Sequence, residues 1–411
     1  MKRFPDVFLK IKIPRNQVWN AMKKDKVIVS VAWFIILLFI LATFSYQVIP
    51  DGTRFANRKC IPIGNQPPGF EVMMLKVMGN KPEESQGLFS RIVYGESFNN
   101  LYIPISSSHY EGTDIVVKEF SASGDSSFES RYNVADVVYT MNKQKKIIER
   151  NGGLFFENAD GVQIEESISD IHAIIDGQYL FKKKFILGTD LFGRDVLSRL
   201  LAASKATLWT AFFASMIACF IGFLSGLIAG ILKGKLKTFV VWILQSISTV
   251  PAFISIAGIL FIVGHGFLKV SLVCGLVLST EVARVIISKI TAIREKKFVE
   301  SAYALGLTKR EILKNHILPG IFRPLAASFA AIFCASILLE SALSFLGVGL
   351  QEPVPSWGTM IRENFGYIIV PGYAYMTILP GLAIFIISIA FVVLANRYHQ
   401  IIKEKYSWSI I

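Results

Sequence analysis

Apolar residues in this chain gather into long unbroken runs. The first, "VIVSVAWFIILLFILATFSYQVIP", covers Val27–Pro50 as 24 residues without a charge. Others lie at about Ala206–Leu232, Phe239–Val263, Phe267–Ile290, Leu325–Leu350 and Tyr375–Asn396. Each meets or approaches the ~20 residues a helix needs to cross a ~30 Å hydrocarbon layer. Lipid offers exposed backbone no hydrogen-bond partner, so all six are predicted helices. Pro251 in "STVPAF" is expected to kink the third. Between the first two runs the pattern changes. "TDIVVKEF" (Thr113–Phe120) and "NVADVVYT" (Asn133–Thr140) alternate as strands do, and "NGG" and "NADG" around Gly152 and Gly161 mark turns. The reading is an all-α polytopic membrane protein of six transmembrane helices carrying an inserted, mainly β or α+β extracytoplasmic domain.

Composition agrees: 53% of the 411 residues are hydrophobic and only 18% charged, too little charge for a soluble domain of this length. The distribution of Lys and Arg sets an orientation. Residues 1–26 hold Lys2, Arg3, Lys10, Lys12, Arg15, Lys23, Lys24 and Lys26, and the 233–238 and 291–323 connections are also basic. Gly264–Gly266 holds none and Gln351–Ala374 only Arg362. With six spans every basic connection falls on one side, so both termini are expected in the cytoplasm and the 51–205 loop outside. That loop carries 18 Lys and Arg against 20 Asp and Glu, which is no objection, since long domains translocate regardless of charge. The first run exceeds a signal-peptide core and is read as an uncleaved anchor. The net charge of +13 is therefore read as membrane topology and not as a nucleic-acid surface. The expected organisation is a basic segment at 1–26, a first helix at 27–50, the insert at 51–186, a five-helix domain at 187–396 with a cytoplasmic loop at 291–320, and a tail at 397–411.

The sequence offers little chemistry. Cys219, Cys274 and Cys334 lie in apolar runs, leaving Cys60 alone outside, so no internal disulfide staples the insert and a free thiol is expected. The five His are scattered, and neither H-E-x-x-H nor C-x-x-C occurs. "GILKGKLKT" (Gly230–Thr238) lacks the ending of a phosphate loop, and "GFLSG" (Gly222–Gly226) has the wrong spacing for a nucleophile elbow. No catalytic residue and no metal site is expected.

One polar stretch stands out, "FVESAYALGLTKREILKNHILPG" from Phe298 to Gly320. Phe298–Leu305 reads as a short helix with small residues at Ser301, Ala302 and Ala304, and Gly306 can end it in a left-handed conformation. Thr308 with Glu311 three residues later is a capping box starting a second helix, which continues through Ile312 and Leu313 and is expected to stop near Pro319. Two roles fit this pattern, an ordinary amphipathic surface loop and a hairpin that docks a partner groove.

The stretch resembles the E-A-A loop of ABC importer permeases, in which Glu-Ala-Ala, a Gly after three residues and Leu-Pro further on recur. Here the pattern is Glu300-Ser301-Ala302, Gly306 and His316-Ile317-Leu318-Pro319, with Ser301 in place of the first Ala. "HILP" is similar to the oligopeptide/dipeptide/nickel branch. So are "LGTDLFGRDVLSRLL" (Leu187–Leu201), with Gly188, Thr189, Asp190, Gly193, Arg194 and Asp195; "ESALSFLGVGLQEPVPSWGTMI" (Glu340–Ile361); and "WNAMKKDK" (Trp19–Lys26). Together these cover about residues 15–50 and 185–396. The insert is far longer than the connection usual there, and the tail lacks the Gly-Asp-Gly-Leu-Arg-Asp ending.

The resemblance implies a type I ABC importer permease in a bacterial inner membrane. It implies a second permease subunit, most often making a heterodimer, two ABC ATPase subunits and an extracytoplasmic substrate-binding protein. ATP and Mg would bind in the partner ATPase, with no cofactor on this chain. Glu300, Ser301, Ala302, Gly306, Leu307, Thr308, Glu311, His316 and Pro319 would form the dock. Glu281 and Arg284, three apart on one helix face, are candidates for a clamp on it. Glu340 is a candidate to line the translocation path or to satisfy nearby backbone, and Ser344 joins it as a path candidate. Oligo- or dipeptides are the expected cargo, with nickel or another small solute as the alternative. A different class, a self-contained channel or anchored receptor acting through its outer domain, needs no such dock.

Overall fold

The computed structural model describes residues 15–79, 87–96, 100–121, 128–141, 147–150, 152–159 and 161–407. Residues 1–14 of the basic lead, Asn151 and Asp160 of the two turns, and residues 408–411 lie outside that set. Two compact units emerge: Met1–Ala42, Ser204–Arg362 and Pro380–Ile411 form a helical one, and Thr43–Ala203 with Glu363–Leu379 a sheet-rich one.

In chain order, α1 is Arg15–Lys24, α2 Lys26–Thr43 and α3 Ser45–Val48. The sheet-rich stretch then runs β1 Phe70–Val77, α4 Leu88–Tyr94, β2 Leu101–Glu111, β3 Asp114–Glu119, β4 Glu129–Asn133, α5 Val134–Val138, β5 Ile148–Arg150, β6 Gly153–Glu157, β7 Gln163–Ser167, α6 Ile168–Ile174 and β8 Leu180–Phe185. The remainder is helical: α7 Val196–Ile231, α8 Gly234–Thr249, α9 Ala252–Val263, α10 Phe267–Arg294, α11 Lys297–Ala304, α12 Lys309–Ile312, α13 Leu318–Phe345, α14 Trp357–Asn364 and α15 Tyr375–Ser407.

In the sheet-rich unit, an antiparallel five-stranded sheet has the order β4-β3-β2-β1-β8, and a second sheet the order β5-β6-β7. Period-two alternation sends Leu75 and Val77 of β1 to one face and Val72 and Met74 to the other. The first face packs with Ile103, Ile115, Leu154, Phe156, Ile171 and Ile175 into the main core. The second packs with Cys60, Ile63 and Phe185. Thr113–Phe120 forms a strand as expected, whereas "NVADVVYT" does not. Its Val134, Ala135, Val137 and Val138 are all buried on the single turn α5. Asn133 starts that turn, its side chain accepting the Ala135 N–H at 3.1 Å. Burial at four positions of one turn is a helical pattern, and the cap decided it.

Among the described residues, five helices are long and apolar enough to cross a membrane, or six if α8 and α9, bent by 87° at their junction, count as one span. The bend falls at Pro251, whose ring drives Val250 into an extended conformation (φ −81°, ψ 129°). α7 begins at Val196, upstream of the run that predicted it, and α2 stops at Thr43, short of Pro50. Many large apolar side chains stay exposed, among them Trp33, Phe220, Phe261 and Leu268, as on a surface that meets hydrocarbon or partner helices. Inside, "GFLSGLIAG" is a packing stripe: a Cβ at Gly226 would sit 2.8 Å from the Ala283 carbonyl, and one at Gly222 would meet the Ser279 carbonyl. These small residues let α7 and α10 approach backbone to backbone, the way helices associate where no water drives them together.

Candidate functional site

The hairpin between α10 and α13 forms as its sequence dictates, with one change. α11 ends in a Schellman turn: Gly306 adopts φ +85°, and the Leu307 N–H donates to the Ala302 carbonyl at 3.1 Å. The Thr308 N–H and hydroxyl both donate to Glu311 Oε2 at 2.8 Å, while Thr308 Oγ1 accepts the Glu311 N–H at 3.3 Å. Those Thr308 donors, backbone first, hold the Glu311 carboxyl below its usual range. The second helix does not stop at Pro319. A π turn over Leu313–Ile317 follows α12 and runs directly into α13, where Pro319 occupies the first positions. The wider turn already breaks the i→i−4 ladder, so the missing proline N–H removes nothing there.

The hairpin has an inner and an outer face. Val299, Ala302, Ile312, Ile317 and Ile321 are buried with Ile286 and Ile290 of α10. Glu300, Ser301, Ala304, Leu305, Gly306, Thr308, Lys309, Arg310 and Glu311 are exposed, and Leu307 is half-buried. Ala302 therefore faces this chain's own core, and Ile312 anchors the hairpin to α10. The side chain of His316 lies outside the described set. Glu281 and Arg284 pair with each other at 2.8 Å, both well exposed. The cation that ties this end of the unit is Arg294, which sequence reasoning passed over. Its Nη1 donates to the Gly230 carbonyl at 2.6 Å, closing the carbonyl end of α7. A basic residue at a helix end was the available signal, but its partner lies far away in sequence.

The Gly188–Asp195 motif folds into a buried ionic knot in the sheet-rich unit. Asp190 Oδ1 accepts the Phe192 and Arg194 N–H groups at 2.9 and 3.0 Å, closing a tight loop, and Oδ2 pairs with Arg194 Nε at 2.6 Å. Arg194 Nη2 reaches Glu363 Oε2 at 2.6 Å and Nη1 reaches Asn57 Oδ1 at 3.2 Å. Arg199 Nη2 joins the same carboxylate at 3.0 Å. Thr189 Oγ1 donates to the Ile63 carbonyl and accepts the Gln66 N–H at 2.9 Å. Gly193 (φ +70°) must be glycine, because a Cβ there would overlap the Cys60 carbonyl. Asp195 accepts from the Ser198 hydroxyl, and burial holds its carboxyl above the usual range. Arg199 lies within the quoted Leu187–Leu201 stretch but was not singled out, and nothing in the sequence links Glu363 and Asn57 to it.

Glu340 and Ser344, candidates for the path, are both fully buried. Ser344 Oγ donates to Glu340 Oε1 at 2.7 Å and accepts the Leu350 N–H at 2.9 Å. The carboxylate therefore faces hydroxyl groups and not open space in this chain.

Comparison with known proteins matches residues 222–407 to the family described as binding-protein-dependent transport system inner membrane component. The glutathione transport system permease protein GsiD of Escherichia coli O6:K15:H31 (strain 536 / UPEC) is 30% identical over 219 residues, 53% of this chain and 71% of that protein. A putative peptide transport system permease protein of Brucella suis biovar 1 (strain 1330) is 26% identical over 220 residues, 54% of this chain and 73% of that protein. Among solved structures, an inward-facing MetNI methionine ABC transporter aligns with a TM-score of 0.39 at 18% identity, covering 49% of this chain and 96% of that chain. Such permeases are not themselves enzymes, the ATPase being a separate subunit. The chain belongs to the inner-membrane permease family of binding-protein-dependent ABC importers.

Proposed function

We propose that this permease couples to its ATPase through the exposed face of the Phe298–Gly320 hairpin. The observation that carries the reading is the hairpin's two-faced construction. Val299, Ala302 and Ile312 are buried, while Glu300, Ser301, Leu305 and Gly306 are open to a partner. An exposed leucine beside a left-handed glycine gives a partner groove an apolar anchor and close backbone approach. ATP-driven closure of the ATPase pair would move the hairpin, and with it α13, biasing the permease between two states. ATP and Mg belong to the ATPase subunits, and this chain binds neither.

In the same reading six helices span the inner membrane with both termini in the cytoplasm. The 51–186 insert lies outside, a second permease subunit completes the path, two ATPases dock within, and a substrate-binding protein delivers cargo. Oligo- or dipeptides are the substrate class, supported by the glutathione and peptide transport named for the relatives.

The test is purification of the tagged chain from its native membrane, with partners identified by mass spectrometry, for wild type, Gly306→Ala and Gly306→Arg. A Cβ at Gly306 meets nothing within 4 Å among the described residues, so Ala and Arg share the same φ +85° strain and differ in the bulk beyond the Cβ. Gly306→Ala should retain the ATPase and Gly306→Arg should lose it. Equal recovery in all three would sink the docking role.

A further inference from the structure

One helix of the helical unit belongs to two sites at once. α13 packs through Ile321 with the hairpin core at one end, and near the other end it carries Glu340. Its 28 residues measure about 42 Å at 1.5 Å per residue. Pro324 lies in its first turns, and no proline follows before Phe345.

Glu340 is joined to more than its own helix. Ser341 Oγ donates to Oε2 at 3.3 Å and Ser344 Oγ to Oε1 at 2.7 Å. The Thr207 hydroxyl of α7 and the Ser356 hydroxyl also face the carboxylate. These donors are in turn tied to the segment after α13. Ser344 Oγ accepts the Leu350 N–H at 2.9 Å, and Thr207 Oγ1 accepts the Trp357 N–H at 3.1 Å. The Val348 and Gly349 N–H groups both donate to the Leu343 carbonyl at 2.9 Å. Around the knot, Val270, Val273, Cys274, Leu343 and Leu350 exclude water. A carboxylate suits this place because it only accepts, with about four lone-pair directions for the Ser341 and Ser344 donors and the hydroxyls that face it. Glutamine would offer a single acceptor oxygen and two N–H donors in a cage of donors, so the substitution preserves volume but reverses half the polarity.

We propose that Glu340 is a positioning residue that fastens the 346–357 segment and α7 to α13. Displacement of the hairpin, carried along α13, then moves that segment as one body. This rests on the docking role of the hairpin proposed above and adds the element that receives the motion. With the knot intact, ATP-driven movement reaches residues 346–357; with it broken, α13 moves and the segment lags.

The test uses the whole transporter purified through the tagged chain and placed in lipid nanodiscs, with Glu352→Cys as a reporter. Glu352 is exposed, whereas the four native cysteines are buried or half-buried. The labelling rate by a membrane-impermeant maleimide is measured with and without ATP–Mg, alongside ATP hydrolysis and ATPase recovery. In the Glu340 background ATP–Mg should change the rate about fivefold or more, the lower end of typical coupling between sites. Glu340→Gln and the milder Ser344→Ala should retain ATPase recovery and hydrolysis but bring that change close to unity. A merely structural carboxylate would lower recovery and leave the ATP-driven ratio unaltered. Variants with a wild-type ratio would overturn the proposal, as would a wild type whose residue 352 does not respond to ATP–Mg. If Glu340→Gln is not recovered, Ser344→Ala decides. Absence of the ATPase from the wild-type preparation counts against the dock, not against Glu340.

Discussion

Replacing Glu363 by glutamine tests whether the ionic knot holds the sheet-rich unit. The carboxylate accepts from Arg194 at 2.6 Å and from Arg199 at 3.0 and 3.2 Å, and these guanidiniums are 1% and 2% exposed. Glutamine keeps the shape and one oxygen but removes the charge, leaving Asp190 as the nearest carboxylate to both arginines, at 2.6 and 3.9 Å. Breaking a buried pair from one side costs about 3–5 kcal/mol, because the partner charge stays out of water. Glu363 is 14% exposed, so water partly relieves the loss and the lower end, about 3 kcal/mol, applies. For a unit spanning residues 43–203 and 363–379, at roughly 2–4 °C per kcal/mol, the midpoint should fall by about 6–12 °C. That unit contains no tryptophan, so intrinsic tryptophan fluorescence would miss the transition. Hydrogen exchange of peptides from β1, β2 and β8 across a temperature series reads it directly. The exposed Glu149→Gln is the control, expected within about 0.5 kcal/mol of wild type. A Glu363→Gln midpoint no lower than that control would refute the assignment of this knot as structural.

Three further outcomes follow from local chemistry. Thr308→Ala removes the hydroxyl half of the capping box, leaving the backbone N–H bond to Glu311, and should raise amide exchange over residues 309–313 about fivefold. The Glu311 carboxyl is held below its usual range, so its contribution is present at neutral pH. It should be lost as the pH falls through the carboxylate range, seen as growing hairpin exchange toward acid. Hairpin protection that rises on acidification would contradict this sign. Burial pushes the Cys60 thiol up to about 11, so at pH 8 it should resist maleimide in the folded protein and react once denatured. Prompt labelling of native protein at Cys60 would show that the second core of the sheet-rich unit is open.

The apolar runs were legible in the sequence because lipid imposes one solution on the backbone, and the capping box was legible because its partners lie three residues apart. Gly306 belongs to the same class, since a Schellman turn needs only its own residues. Where the sequence misled, a neighbouring residue overruled a pattern: Asn133 capped a buried helical turn inside apparent alternation, and a π turn carried the chain past Pro319. The pairing of Arg194 and Arg199 with Glu363 and Asn57, the Arg294 closure of α7 and the hydroxyl cage of Glu340 lay beyond any reading of composition or spacing. Each brings together groups distant along the chain, and a charge or hydroxyl in a sequence does not reveal which distant donor or acceptor will share its burial. Only the folded chain decides that, by excluding water from a polar group and leaving it no other partner.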